Sequence, residues 1–289
     1  MAAQAYVNGR YSPLAEAGVA VEDRGFQFAD SVYEVVAVLN GRFFDWPQHL
    51  WRLRRNLAAL QISGAPAEAA LDHIARTLLR RARVTDGLLY VQVSRGVARR
   101  EHGFPATARP TLVMTARRFD FRQRLAQQAQ GVAAISRPDQ RWLRCDLKTT
   151  NLLGAVLAKE EARREGAFEA LFHLPDGTVT EGGSTNIWMV DAAGALVTHP
   201  LSSRILPGIM RETALRLARG NGLDVAERPF SLEEARAARE LLLTSTTAPV
   251  LPIVQLDAQP IGSGRPGEVA GRLARLLWDE IERQTGWRA

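Results

Sequence analysis

A chain of 289 residues, 46% hydrophobic and with a formal net charge of +6, can bury one large core or two medium ones, and two domains are expected at that length. So modest a charge excess predicts solubility rather than a nucleic-acid partner, and the arginine runs RLRR (52–55), RRAR (80–83) and RRFDFRQR (117–124) fall in or beside helical patterns with few aromatics for base stacking. No apolar run approaches the roughly 20 residues of a membrane span, and the opening MAAQAYVNGRYSPLAE lacks a cationic segment followed by an apolar one, so a cytoplasmic protein is expected.

Two short extended pieces, Tyr6 to Tyr11 and Val19 to Glu22, lead into the β-rich run VYEVVAVL, with Tyr33 and Glu34 at its start. Asn40-Gly41 is a favoured two-residue hairpin turn, so Phe43 and Phe44 begin the returning strand. Asp45, with Gln48 three residues on, is expected to cap a helix whose apolar stripe is Leu50, Leu53, Leu57 and Leu60; Arg52 lies off that stripe. A second amphipathic helix follows through Leu71, Ile74, Leu78 and Ala82. The strands GLLYVQVSRG and TLVMTARRF come next, separated by the loop VARREHGFPATARP, which holds Arg100 and His102.

From Phe119 to Gln130 the chain is polar with little periodicity, and the link between two halves is placed there. The expected domains are 1–120, small and α/β, and 121–289, larger. Beyond the link, GVAAISRP reads as a strand, and RWLRCDLK runs into a helix from Leu152 to about Glu165 with Leu153, Val156 and Leu157 on one side. FEALFHLPDGTVTE is a hairpin turning at Asp176-Gly177, and it delivers Glu181 to the glycine-rich EGGSTN before the strand NIWMV. A further hairpin, WMVDAAGALVT, precedes LSSRILPGIMRE, where Pro207-Gly208 opens a helix. Ser231 and Glu234 form a capping box, ELLLTSTTAPV is a strand ending in hydroxyls from Thr244 to Thr247, and a long amphipathic helix closes the chain.

Lysine is scarce: Lys148 and Lys159 stand against thirty-five arginines. An arginine stays protonated, whereas a lysine amine can condense with a carbonyl. Lys159 lies in KEEARRE, read as a solvated helix face, which leaves Lys148, just before a helix, as the chemical candidate. Glu181 at a strand end, the helix opening LPGIMRE, the TSTT run and Arg52 would answer the other groups of pyridoxal phosphate. A carboxylate suits the pyridine nitrogen, and amides, hydroxyls and an arginine suit the phosphate. Cys145, the single cysteine, allows no internal disulfide or CxxC metal site and reads as packing. His49, His73, His173 and His199 show no metal-ligand spacing.

The strings RGFQFADSVYEVV, RGVARREHGFP, RWLRCDLKTTNLLGAVLAK, TVTEGGSTN and TSTT, in this order, resemble the class IV, fold-type IV, pyridoxal-phosphate aminotransferases, and most of all bacterial D-amino acid aminotransferases. The resemblance covers nearly the whole chain and implies an α+β fold in two domains with the cofactor between them. It implies that Lys148 forms the imine with the cofactor and then moves the proton at the substrate Cα. Glu181 would pair with the ring nitrogen, and Arg52, the backbone at Ile209 and Met210, and Thr246 would hold the phosphate. By the resemblance Arg141 would approach the phenolic oxygen of the cofactor, while the residue read alone could equally pair with a surface acid. Tyr33, Arg100 and His102 would trap the substrate α-carboxylate, with the loop of the last two reaching into the partner's site, so a homodimer is implied.

Gly183 and Met210 stand where relatives often carry serine and threonine, which puts cofactor affinity in question. The implied reaction is ping-pong transfer of an amino group from a D-amino acid such as D-alanine to pyruvate or 2-oxoglutarate. A branched-chain L-amino acid aminotransferase, an aminodeoxychorismate lyase and an (R)-amine transaminase are the alternatives of the same fold.

Overall fold

The computed structural model describes residues 4–288. The chain divides into two compact units: the residues up to Asp120 with 147–151 and 284–287, and 121–146 with 152–283. Segments 147–151 and 284–287, read from sequence as parts of the second half, therefore group with the first.

In the first unit six strands form one antiparallel sheet in the order β2-β1-β6-β5-β3-β4, from β1 (Gln4–Val7), β2 (Arg10–Pro13), β3 (Ser31–Leu39), β4 (Arg42–Phe43), β5 (Gly87–Ser94) and β6 (Thr111–Arg118). Asn40 and Gly41 both take positive φ, 51° and 70°, as a tight hairpin matched to strand twist requires, and Val38 pairs with Phe43 across it. Helices α1 (Arg24–Phe28), α2 (Trp46–Ala59) and α3 (Glu68–Ala82) belong to this unit. Leu50, Leu53 and Leu57 of α2 and Leu71, Ala75 and Leu78 of α3 share a core with Val36, Val38, Leu89, Val91 and Met114 of the sheet. Two expectations fail here. Residues 19–22 are not a strand but lead into α1, whose N-cap is Asp23, accepting from the Gly25 N–H at 2.8 Å. Asp45 is the N-cap residue of α2, but without the side-chain cap expected of it: it sits at φ 50° and its carboxylate accepts from Gln284 at 2.8 Å.

The second unit holds a nine-stranded mixed sheet made of β7 (Val132–Pro138), β8 (Glu169–His173), β9 (Val179–Gly182), β10 (Asn186–Val190), β11 (Leu196–Thr198), β12 (Val225–Glu227), β13 (Glu240–Ser245), β14 (Ala248–Leu256) and β15 (Gln259–Pro260). Its path is β12-β11-β10-β13-β14-β7-β8-β9, with β15 on β14; β14, β7 and β8 run parallel. Helices α4 (Arg122–Gln130), α5 (Leu153–Arg164), α6 (Ile209–Gly220) and α7 (Leu232–Ala237) follow, and α8 (Glu268–Thr285) ends in the segment that groups with the first unit.

The polar stretch expected as a linker is the helix α4, which buries none of its side chains and so shows no apolar period. The hydroxyl run ends β13 with Thr244 and Ser245, Thr246 and Thr247 form the turn, and the chain returns in β14 from Ala248. In α5 the buried face is Ala155, Ala158 and Ala162, the last two packed on Ile135, Ala170 and Phe172. Leu153, Val156 and Leu157 point outward, 68%, 55% and 56% exposed. The capping box on α7 is present, with Ser231 and Glu234 exchanging hydrogen bonds.

Candidate active site

Lys148 sits in the extended segment 147–151, which pairs with the start of β3. The Tyr33 N–H donates to the Lys148 carbonyl at 2.9 Å, the Thr150 N–H to the Ser31 carbonyl at 3.3 Å, and Val32 and Thr149 form an antiparallel bridge. With its backbone pinned on both sides, only side-chain torsions place the amine. Nζ stands 4.3 Å from the centroid of the Tyr33 ring, and that ring stacks on Tyr90 at 5.5 Å. Burial, with Tyr33 beside it, pushes the Tyr90 hydroxyl up to about 12, so it remains a phenol and donates to Gln92 at 2.6 Å.

Glu181 lies buried on β9 in the second unit. Arg141 Nη1 donates to its Oε1 at 2.5 Å, while Asn186 Nδ2 at 3.1 Å and the Leu206 N–H at 2.9 Å donate to Oε2. Arg141 is gripped in turn by Asp139 through two hydrogen bonds of 2.9 Å and lies over the Phe172 ring at 4.6 Å. The Thr180 hydroxyl donates to Asp139 at 3.0 Å. Burial pushes the Glu181 carboxyl up to about 7 against the pull of Arg141. Burial also works upward on Asp139, but the hydrogen bonds and charge of Arg141 overcome it and hold that carboxyl below its ordinary value. Cys145 is buried, donates to the Trp142 carbonyl and has its thiol pushed up to about 11 by burial, as packing rather than reactivity requires.

Asn186 links Glu181 to the start of α6, since its Nδ2 also donates to the Leu206 carbonyl at 2.9 Å. A Cβ on Gly208 would collide with Asn186 Oδ1, so residue 208 has no side chain with which to cap α6, and the helix has no side-chain cap. Ile209 and Met210 bury their side chains, so what they offer is backbone N–H at a positive helix end. Thr246 occupies the turn between β13 and β14, half-buried. Thr244 accepts from Trp188 Nε1 and Ser245 from the Ala248 N–H; the Thr246 hydroxyl makes no side-chain hydrogen bond among the described residues.

Arg52 is buried on α2 and makes a two-point pair with Glu34 of β3, Nε to Oε1 at 2.8 Å and Nη2 to Oε2 at 2.7 Å. His49 Nδ1 lies 2.7 Å from the same Oε2. Burial works upward on Glu34, but the Arg52 charge and hydrogen bonds outweigh it and hold the carboxyl down at about 2. His49 is pushed down by burial, so it stays neutral beside Arg52. In the loop after β5, Arg100 lies over the Phe28 ring at 5.1 Å and the His102 ring lies 5.6 Å from the same ring. Arg100 and His102 therefore share one aromatic platform, whereas the ring contacts of Tyr33 are Tyr90 and Lys148.

The class IV amino-transferase family model matches residues 31–256. The chain belongs to the class IV aminotransferases. It is 40% identical to a D-alanine aminotransferase from Bacillus licheniformis over 96% of this chain and 97% of that protein, and 36% identical to one from Staphylococcus haemolyticus over 93% and 94%. A T.th. branched-chain amino acid aminotransferase, solved with pyridoxamine 5′-phosphate, matches all of this chain and 96% of its own with a TM-score of 0.88 at 24% identity, which shows the fold-type IV architecture.

The donor set of this aminotransferase fits pyridoxal 5′-phosphate. It offers an amine on a pinned segment, a buried carboxyl with raised proton affinity, uncapped helix amides, a hydroxyl without a protein side-chain partner and a buried arginine. Sequence reading missed the groups behind these. Asp139 and Glu34 are acids that hold the arginines, and the signal for Glu34 was a charged residue in an apolar strand, where burial demands a partner. Lys159 is no solvated residue either: Nζ donates to the Phe168 carbonyl at 2.6 Å and lies 3.2 Å from Glu169, which also accepts from Ser184 and Thr185 in the loop after Glu181. Its methylenes fill the place a side chain at Gly183 would need, for a Cβ there would stand 2.9 Å from Lys159 Cγ.

Proposed function

We propose that this enzyme transfers the amino group of a D-amino acid, D-alanine among them, to a 2-oxo acid such as pyruvate or 2-oxoglutarate, with pyridoxal 5′-phosphate as cofactor. Near full-length identity of 40% to a D-alanine aminotransferase carries the reading. The branched-chain neighbours, at 24% identity, share the fold and carry nothing on substrate. When bound, the cofactor supplies an aldehyde that takes up the amino group and a ring that accepts the electron pair left at the substrate Cα.

Lys148 holds the cofactor through its amine and then takes and returns the proton at Cα; the pinned backbone of 147–151 returns Nζ to the same place in each half of the cycle. Glu181 holds a proton at the ring nitrogen. That task needs the ionised carboxylate, which the Arg141 charge and hydrogen bond favour against burial, and Arg141, held by Asp139, keeps it aimed. The N–H groups of Ile209 and Met210, the Thr246 hydroxyl and Arg52 hold the phosphate. Arg52 reaches that role already oriented by Glu34. Arg100 and His102, with Tyr33, take the substrate α-carboxylate, a fork and two directional donors for a planar anion.

A homodimer completes this reading. Leu153, Val156 and Leu157 form an exposed apolar face on α5, and each would gain about 1.5–3 kcal/mol if fully covered, so we assign that face to the second copy. Among the described residues no helix is long and apolar enough to cross a membrane, and we place the enzyme in the cytoplasm.

The deciding measurement compares D-alanine, L-leucine and an amine lacking a carboxylate as donors to 2-oxoglutarate. The reading expects turnover with D-alanine and visible absorbance that is lost in Lys148→Ala. Turnover with L-leucine and none with D-alanine would reject it.

A further inference from the structure

Two residues that the carboxylate trap does not include lie beneath it. Arg24 in α1 is 3% exposed, yet its guanidinium does not only neutralise an acid. Nη1 donates to the Glu101 carbonyl at 2.6 Å and Nη2 to the His102 carbonyl at 3.3 Å, while Nε donates to Asp30 at 2.8 Å. Asp30 is shared with Arg95, which donates to both of its oxygens at 2.7 and 3.0 Å and reaches the Leu60 and Gln61 carbonyls. Burial would raise the Asp30 carboxyl, but hydrogen bonds from Arg95 and Arg24 hold it below its ordinary value, so the bracket stays ionised. Phe104, midway along the loop, covers Arg95 with ring centroid and Cζ 3.6 Å apart. The near end is stitched by the Arg24 N–H to the Gly96 carbonyl at 3.0 Å and the Ala98 N–H to the Glu22 carbonyl at 3.3 Å.

The Phe28 ring carries Arg24 at 4.8 Å, Arg100 at 5.1 Å and His102 at 5.6 Å. Arg100 and His102 are themselves exposed. A long exposed guanidinium explores many rotamers, and ordering it costs binding free energy each time a substrate arrives. A ring face beneath it restricts that search, and a bonded backbone fixes where the search begins.

We propose that Arg24 and Phe28 are positioning residues for substrate recognition: Arg24 fixes the loop backbone through the carbonyls of residues 101 and 102, and the Phe28 ring sets the planes of Arg100 and His102. This rests on the reading that Arg100 and His102 bind the substrate carboxylate. Because both substrates of the cycle carry that group, loss of positioning raises KM for each.

The test uses the holoenzyme with D-alanine and 2-oxoglutarate. Phe28→Leu keeps an apolar side chain without a π face and should raise KM for D-alanine about 5-fold with kcat within about 2-fold of wild type. Phe28→Tyr should restore wild-type KM to within about 2-fold. In an Arg100→Ala, His102→Ala background Phe28→Leu should add less than about 2-fold, since the ring acts through those two residues. Arg24→Lys, which keeps the charge but not the fork, should speed tryptic cleavage after Arg99 and Arg100 several-fold, a readout independent of turnover. Unchanged KM in Phe28→Leu, equal damage in Phe28→Tyr, full additivity with the Arg100→Ala, His102→Ala pair, or unchanged cleavage in Arg24→Lys would each overturn the inference. If Arg100→Ala itself leaves KM for D-alanine unchanged, the carboxylate reading falls first; if it raises KM and Phe28→Leu does not, only the positioning role falls.

Discussion

Replacing Glu34 with glutamine tests the buried pair that orients Arg52. The carboxyl, ordinarily near 4.5, is held at about 2 in the fold, chiefly by Arg52 against the cost of burial. That displacement is worth about 3 kcal/mol of folding stability. A depressed carboxylate value contributes fully above about pH 4.5 and loses its contribution as pH falls toward 2, so about 2 kcal/mol is gone at pH 3. Glu34→Gln keeps the shape but deprives a buried guanidinium of its charge partner, and should cost about 3–5 kcal/mol at pH 7. Urea titrations of both proteins, at equal protein concentration and saturating cofactor, should therefore show a gap that narrows by about 2 kcal/mol between pH 7 and pH 3. Because Glu34 also supports a proton on His49, both proteins carry His49→Gln in this comparison, which removes that second titration. A gap equal at the two pH values would refute an ionised Glu34 paired with Arg52.

The α5 face yields a second test: Leu153→Glu with Val156→Glu should turn a dimer into a monomer by sedimentation at micromolar concentration while leaving the helical circular dichroism intact, and an unchanged dimer would remove that face from the interface. Gly183→Ser should destabilise by about 1–3 kcal/mol, because its Cβ meets Lys159 Cγ and Cδ at 2.9 and 3.0 Å. The same change in a Lys159→Ala background should cost less than half as much, measured as a double-mutant cycle of urea midpoints; equal costs would dismiss the collision.

What the sequence disclosed depended on whether a feature was local. The hairpin at Asn40-Gly41 and the capping box at Ser231 are short-range chemistry and read directly. Helix α4 was hidden because it buries nothing, and the orientation of α5 was inverted because alanines read as neutral beside leucines although they are what packs on Phe172. Lys148, Glu181 and Arg52 stood out by residue type and order, but their supports did not. Asp139 is close to Arg141 in sequence, yet nothing short-range says that the arginine will span it and Glu181, and Arg24 meets Glu101 and His102 only after some eighty residues of chain have folded. Asp45 shows the converse, a motif of correct spacing overridden when Gln284 claims its carboxylate.

The scarcity of lysine gains a practical side from where the two amines sit. Lys148 is half-buried against Tyr33, and Lys159 is tied to the Phe168 carbonyl and Glu169. Reagents aimed at side-chain amines, such as succinimidyl esters or glutaraldehyde, thus find no freely exposed lysine, and what they do modify includes the amine proposed above to hold the cofactor. Attachment to a support or a dye has to go through other handles, and on the proposed role of Lys148, amine labelling of the side chains alone, with the α-amino group blocked, reads cofactor occupancy instead of adding a neutral tag.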